Sequence, residues 1–180
     1  QRAVAKAIKH DITILSMHTN MDNARGGVNF KMAEKMQLTG VKFFTEKQVD
    51  GITCGSGVMG ELPGAMAADD FVMMLKREFD VECVQCNQLL RRPIRTVAIC
   101  GGAGSFLLPE AIAAGADAFV TGEMHYHDYF AHEQEIQIAV IGHYQSEQYT
   151  YEIFKSIIEE QCEGVRCVVT SQNTNPIIYL

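Results

Sequence analysis

Four short apolar runs recur through the second half of the chain, each leading into a loop or separated from the next by helical spacing. They are "RTVAIC" (95–100), "ADAFVTGE" (116–123), "IQIAVIG" (136–142) and "GVRCVVT" (164–170). This pattern constrains the fold more than any other feature. Runs without polar alternation suit strands buried on both faces, and strands alternating with helices suit a parallel sheet covered on both sides. The intervening "FLLPEAIAAG" reads as a helix ended by Gly115. "SEQYTYEIFKSIIEEQC" (146–162) reads as an amphipathic helix with Tyr149, Ile153, Phe154, Ile157 and Ile158 on one face and Ser146 as its N-cap. "HYHDYFAHEQE" (125–135) has weaker helical spacing.

The first half follows the same logic less cleanly. Strands are expected over 11–18, 40–46 and 80–86, and helices over 28–38 and 67–79. The glycine-rich stretch 50–64 reads as a turn or irregular loop, and 87–93 as a connection. The expected fold class is α/β: two similar α/β halves, residues 1–90 and 91–180, with mostly parallel sheets. A length of 180 residues suits one full domain or two small ones.

A formal net charge of −7 disfavours general binding to a nucleic-acid backbone. No apolar run approaches the ~20 residues of a membrane span, and no secretory signal is visible. The chain begins at Gln1 rather than methionine, so it is expected to be part of a longer protein. Its six cysteines include one Cys-x-x-Cys pair, Cys83 and Cys86, with no second pair to complete a four-thiolate zinc site. Cys100 and Cys167 lie in apolar runs and read as small core residues. This cysteine usage implies a reducing, cytoplasmic compartment.

In open parallel sheets ligands bind at the carboxyl ends of the strands. The loops there are "HTNMD", "GGAGS", "TGEMHYHD" and "GHYQSE". His143 and Glu147 are four apart, so in a helix they share a face. They suit zinc, manganese or iron, or equally the polar first turn of a helix. His18 and Asp22 repeat the offset, in a segment whose Asn20, Asp22 and Asn23 also suit a plain turn. Glu123 is a ligand, a base or a partner of loop amides, and His125 and His127 share one side if their loop is extended. "GGAGS" suits either a phosphate cradle or tight strand-to-helix packing. It lacks both the Walker lysine and the third glycine of a dinucleotide fingerprint.

Six stretches occur in a telling order: "HTNMDNARGGVN", "GSGVMGELP", "VAICGGAGS", "GADAFVTGEMHYHD", "GHYQSE" and "TNPIIYL". Together they resemble the YbgI/YqfO-like dinuclear metal-centre family, the GTP cyclohydrolase 1 type 2 homologues, across nearly the whole chain. The resemblance implies two divalent ions (zinc, manganese or iron) in a cleft between two α/β halves. It implies a homo-oligomer, a hexameric ring built from dimers. By motif, Asp22, His143 and Glu147 match metal ligands, His18 lines the cleft, and His127 falls near the site. His18, Glu123 and His127 are then the candidates for moving protons.

Such a centre suits metal-assisted hydrolysis of a nucleotide, at a purine ring or a phosphoester. The alternative is a non-catalytic metal-binding or regulatory ring scaffold. Two features depart from the family. The adjacent histidine pair that precedes the "HTNMD" strand is missing, so the dinuclear site is expected to be incomplete in this chain. The ferredoxin-like insertion before "GSGVMGEL" is absent or removed.

Overall fold

The computed structural model describes residues 1–178. The chain runs through α1 (Arg2–Lys9), α2 (Thr19–Asp22), α3 (Val28–Lys35), β1 (Thr39–Val49), β2 (Ile52–Met66), α4 (Ala68–Glu78) and β3 (Gln85–Cys86). It continues through β4 (Ile94–Cys100), α5 (Leu108–Ala113), β5 (Ala118–Thr121), β6 (Gln137–Val140), α6 (His143–Glu147) and α7 (Thr150–Gln161). Short 3-10 turns occupy Ser105–Leu107 and Tyr126–Tyr129.

One six-stranded sheet has the order β1-β2-β4-β5-β6-β3. Its centre, β4-β5-β6, is parallel, and its flanks are antiparallel. The α/β class therefore stands, as a mixed sheet to which both halves contribute strands. The central strands alternate between two packed faces, which is why their sequences are apolar throughout. Val97, Ile99, Val120 and Ala139 face Met32, Phe71, Leu75 and Phe79, largely on α3 and α4. Ala98, Phe119, Ile138 and Val140 face Leu107, Leu108 and Ala111. A smaller cluster joins Met21 of α2, Val28 of α3 and Ile153 of α7, with Phe154 packed against it. That cluster holds α2 against α3 and α7. Lys31–Glu152, at 2.9 Å, ties α3 to α7 beside it.

Several expectations need correction. Residues 11–18 and 164–170 form no strand, and Ile12, Ile14, Leu15, Val165, Val168 and Val169 are exposed. A strand needs a partner for its amides, and apolar composition alone supplies none. Cys167 is accordingly half-buried rather than part of the core. Residues 50–64 are mostly strand: Asp50 and Gly51 take positive φ and form a two-residue hairpin turn, after which β2 pairs with both β1 and β4. Its glycines mark close approach. A Cβ on Gly57 would stand 2.5 Å from the Phe44 ring and 2.9 Å from the Ile99 carbonyl oxygen. In 80–86 only the last two residues pair, against β6. Left-handed Ala131 and Gln134 prevent a helix over 125–135. Gln37, also left-handed, follows the end of α3.

Candidate metal centre

Because β4, β5 and β6 are parallel, their loops leave at one edge: Gly101–Gly102, Gly122–Glu123 and Gly142–His143. Gly102 stitches these loops together. Its carbonyl accepts the Gly122 and Glu123 amides at 3.0 and 2.9 Å, and its own amide donates to Ser146 Oγ at 2.9 Å. Ser146 Oγ in turn donates to the His143 carbonyl at 2.7 Å. Ser146 is thus buried within α6 instead of capping a helix there. Gly102 has φ +63°, and a Cβ on it would lie 2.5 Å from Glu147 Oε1. Only glycine satisfies both demands.

The first half reaches this edge through α2, which carries Asp22, with His18 as its N-terminal flanking residue. Buried Asn29 fastens it. Its Nδ2 donates to the Asp22 carbonyl at 3.0 Å, and its Oδ1 accepts the Gly101 amide at 2.8 Å. Asn23 adds a second tie to β2: its carbonyl accepts the Gly55 amide at 3.1 Å, and its Oδ1 accepts Ser56 Oγ at 3.1 Å.

His18, Asp22, His143 and Glu147 line one cavity of about 180 Å³, with Asn29, Cys100 and Gly102. His143 Nε2 stands 3.4 Å from Glu147 Oε1, and Nδ1 stands 2.7 Å from Glu123 Oε1. Burial raises the Asp22 pKa against the lowering influence of His18 and His143. Burial also raises that of Glu147; His143 and His18 oppose this, while Asp22 and Glu123 add to it. Both carboxylates therefore face the cavity with less positive charge around them than their burial calls for. Burial, then Asp22 and Glu147, pushes the Cys100 thiol up to about 12.

His143 also borders two further cavities. One, of about 520 Å³, includes Glu123, His125, Ser105 and Gln85; the other, of about 800 Å³, includes Glu147 and the chain from Val169 to Ile177. His127 lies elsewhere: it is exposed, with its ring 5.4 Å from that of Tyr126 and 6.4 Å from that of Phe130. "GGAGS" serves packing, since the amides of Gly101, Gly102 and Gly104 donate to Asn29, Ser146 and Thr121. Cys83 and Cys86 are free thiols, and burial followed by the neighbouring Cys83 raises Cys86 to about 11.

Among the described residues, no group of three or more His, Cys, Asp or Glu side chains stands close enough together to hold a metal as placed. The four cavity residues surround a space rather than a point. Their chemistry nonetheless fits a divalent cation: two undercompensated carboxylates and two imidazoles are oxygen and nitrogen donors of the types zinc, manganese and iron accept. Sequence reasoning missed Asn29, read Asn23 only as a turn former and gave Ser146 a different role. No local signal marks them, because their partners lie far away along the chain.

The family model Duf34/NIF3 (NGG1p interacting factor 3) matches residues 1–176. Among curated proteins, a "GTP cyclohydrolase 1 type 2 homolog" of Streptococcus pneumoniae is 33% identical over 124 residues, covering 67% of this chain and 45% of that protein. One from Clostridium perfringens is 27% identical over 183 residues, covering 99% of this chain and 69% of its own. The chain thus spans about half to two-thirds of these relatives' lengths. The crystal structure of Staphylococcus aureus protein SA1388 has a TM-score of 0.85 at 24% identity, covering 98% of this chain and 72% of that one. A structure titled "protein ybgI, unknown function" has a TM-score of 0.73 at 18% identity, covering 88% and 61%. These two establish likeness of fold. The chain belongs to the Duf34/NIF3 family.

Proposed function

We propose that the cavity between α2 and α6 binds divalent metal, and that the whole protein is a metal-dependent hydrolase acting on a nucleotide. The observation that carries this reading is the pairing of Asp22 and Glu147, both with pKa raised by burial, on a wall shared with His18 and His143. Asp22, Glu147 and His143 would hold the metal. When bound, it would polarise substrate and lower the pKa of a coordinated water. His18, on the same wall, is the proton carrier of this scheme. The adjoining 520 Å³ cavity has the size of an organic ligand site, and the name borne by the curated relatives directs the substrate choice to GTP.

The eleven-residue edge strand β1 supports self-association into the proposed ring, and the six free thiols support a reducing cytoplasm. Described residues include no helix long and apolar enough to cross a membrane.

The test is elemental analysis after equilibration with manganese, zinc or iron and dialysis. Asp22→Ala and the double variant His143→Ala/Glu147→Ala should lose metal while still melting cooperatively, close to wild type when both are compared in chelator. Undiminished metal would overturn the assignment. These few donors should hold fewer than two ions tightly per chain. Metal-loaded full-length protein should hydrolyse GTP or another member of a nucleotide panel. Bound metal without turnover would leave the scaffold reading.

A further inference from the structure

We propose that Glu123 is a positioning residue for His143: it holds the Nδ1–H tautomer, so that the bare Nε2 faces the cavity. This rests on the metal-binding reading and assigns Glu123 a part other than proton transfer or direct ligation. The contact is short, at 2.7 Å between His143 Nδ1 and Glu123 Oε1. An ionised carboxylate only accepts, so Nδ1 must donate. In a neutral ring the single proton is then spent, and Nε2 keeps its lone pair. That atom is the one 3.4 Å from Glu147 Oε1, on the cavity side.

The arrangement is imposed by the backbone. Glu123 N–H is anchored on the Gly102 carbonyl, and the His143 carbonyl is anchored through Ser146 Oγ to the Gly102 amide. Both ends of the Glu123–His143 contact are therefore referred to one residue. The strand ends add rigidity: β5 and β6 run parallel up to Thr121 and Val140, immediately before the two loops. A Cβ on Gly122 would meet the Gly102 carbonyl oxygen at 2.7 Å and Ser146 Oγ at 2.8 Å, so the loops pack closely enough to require glycine there. Metal-binding histidines are commonly oriented in this way, by a carboxylate on the ring nitrogen that the metal does not use.

The test uses the metal-free chain first. Imidazole nitrogen-15 shifts are recorded well above the usual imidazole titration range. Wild type should show His143 with Nδ1 protonated and Nε2 bare. Glu123→Gln, whose amide oxygen still accepts, should keep that tautomer. Glu123→Ala should lose it, and Glu123 is exposed enough for the fold to tolerate the change.

Zinc titration follows. Glu123→Ala should bind about 10–100-fold more weakly than wild type, with Glu123→Gln close to wild type. A dominant Nε2–H ring in wild type would overturn the proposal while leaving metal binding intact. Equal losses in the Gln and Ala variants would also overturn it, making Glu123 a direct ligand. An Nδ1–H ring in a wild-type chain that binds no zinc would uphold the contact and sink the metal reading.

Discussion

The two ends of the central strands treat their carboxylates in opposite ways. At the amino end, Asp117 accepts the Arg95 and Thr96 amides, each at 2.9 Å, and pairs with Arg92. Desolvation pushes its pKa up, but the amide bonds and Arg92 outweigh this, and the net shift is down. At the carboxyl end, burial wins at Asp22 and Glu147 and both shift up. One edge is electrostatically closed by its own groups. The other leaves negative charge only partly compensated, which serves binding better than stability. The contrast separates a carboxylate held by its own strand ends from two whose burial is only partly offset.

Breaking the closed edge should produce the largest effect. Asp117→Ala removes the acceptor for two backbone amides and an arginine, and should cost about 3 kcal/mol in urea unfolding with metal content unchanged. A loss below about 1 kcal/mol would show that water replaces those bonds freely. Asn29→Ala should cost somewhat less, about 2 kcal/mol, by leaving the Gly101 amide and the Asp22 carbonyl without their partner. It should also weaken metal binding, since α2 loses a tie to β4. Unchanged affinity in a folded Asn29→Ala protein would mean that the Met21–Val28–Ile153 cluster and the Asn23 bonds to β2 suffice to place α2.

The closed edge also predicts a pH signature. The folded-state pKa of Asp117 lies below the ordinary value of 3.8. Its stabilising contribution is therefore complete above about pH 3.8 and is lost as pH falls through the lower folded value. Wild type and Asp117→Asn should differ most in urea midpoint near neutrality, and the gap should narrow below pH 4. A gap that stays constant down to acid-induced unfolding would show that Asp117 acts through shape rather than charge.

Legibility in the sequence follows the range of the interactions. β4, β5 and β6 were readable because burial on both faces writes itself into consecutive residues. His143 and Glu147 were readable as a pair because four residues make one helical turn. By contrast, Asn29 and Gly101 are 72 positions apart, and Ser146 and Gly102 are 44 apart. No local pattern encodes such bonds. Residues 11–18 misled because apolar composition reports what a segment could join, while a strand exists only where a neighbour accepts its amides. β2 misled in the other direction. Its glycines looked like loop composition, yet they make room for Phe44 and for the backbone of β4, and Asp50-Gly51 held an overlooked hairpin signal.

The smallest effect tests the open edge most directly. Glu147→Gln keeps the side chain's shape and removes its charge. The raised pKa means that folding disfavours the ionised form, because burial and the nearby Asp22 outweigh the two imidazoles. Such a group favours the fold when protonated, and that advantage is lost as pH rises through its folded pKa. Near neutrality in chelator, the neutral variant should match wild type or exceed it by up to about 1 kcal/mol in urea unfolding. With saturating zinc the order should reverse, since a ligand bound only to the native state adds stability that grows with the logarithm of its concentration over Kd. A variant less stable than wild type in chelator would place Glu147 with Asp117 among the strand-stitching carboxylates. The opposite signs, with and without metal, are what a binding carboxylate requires and a structural one cannot produce.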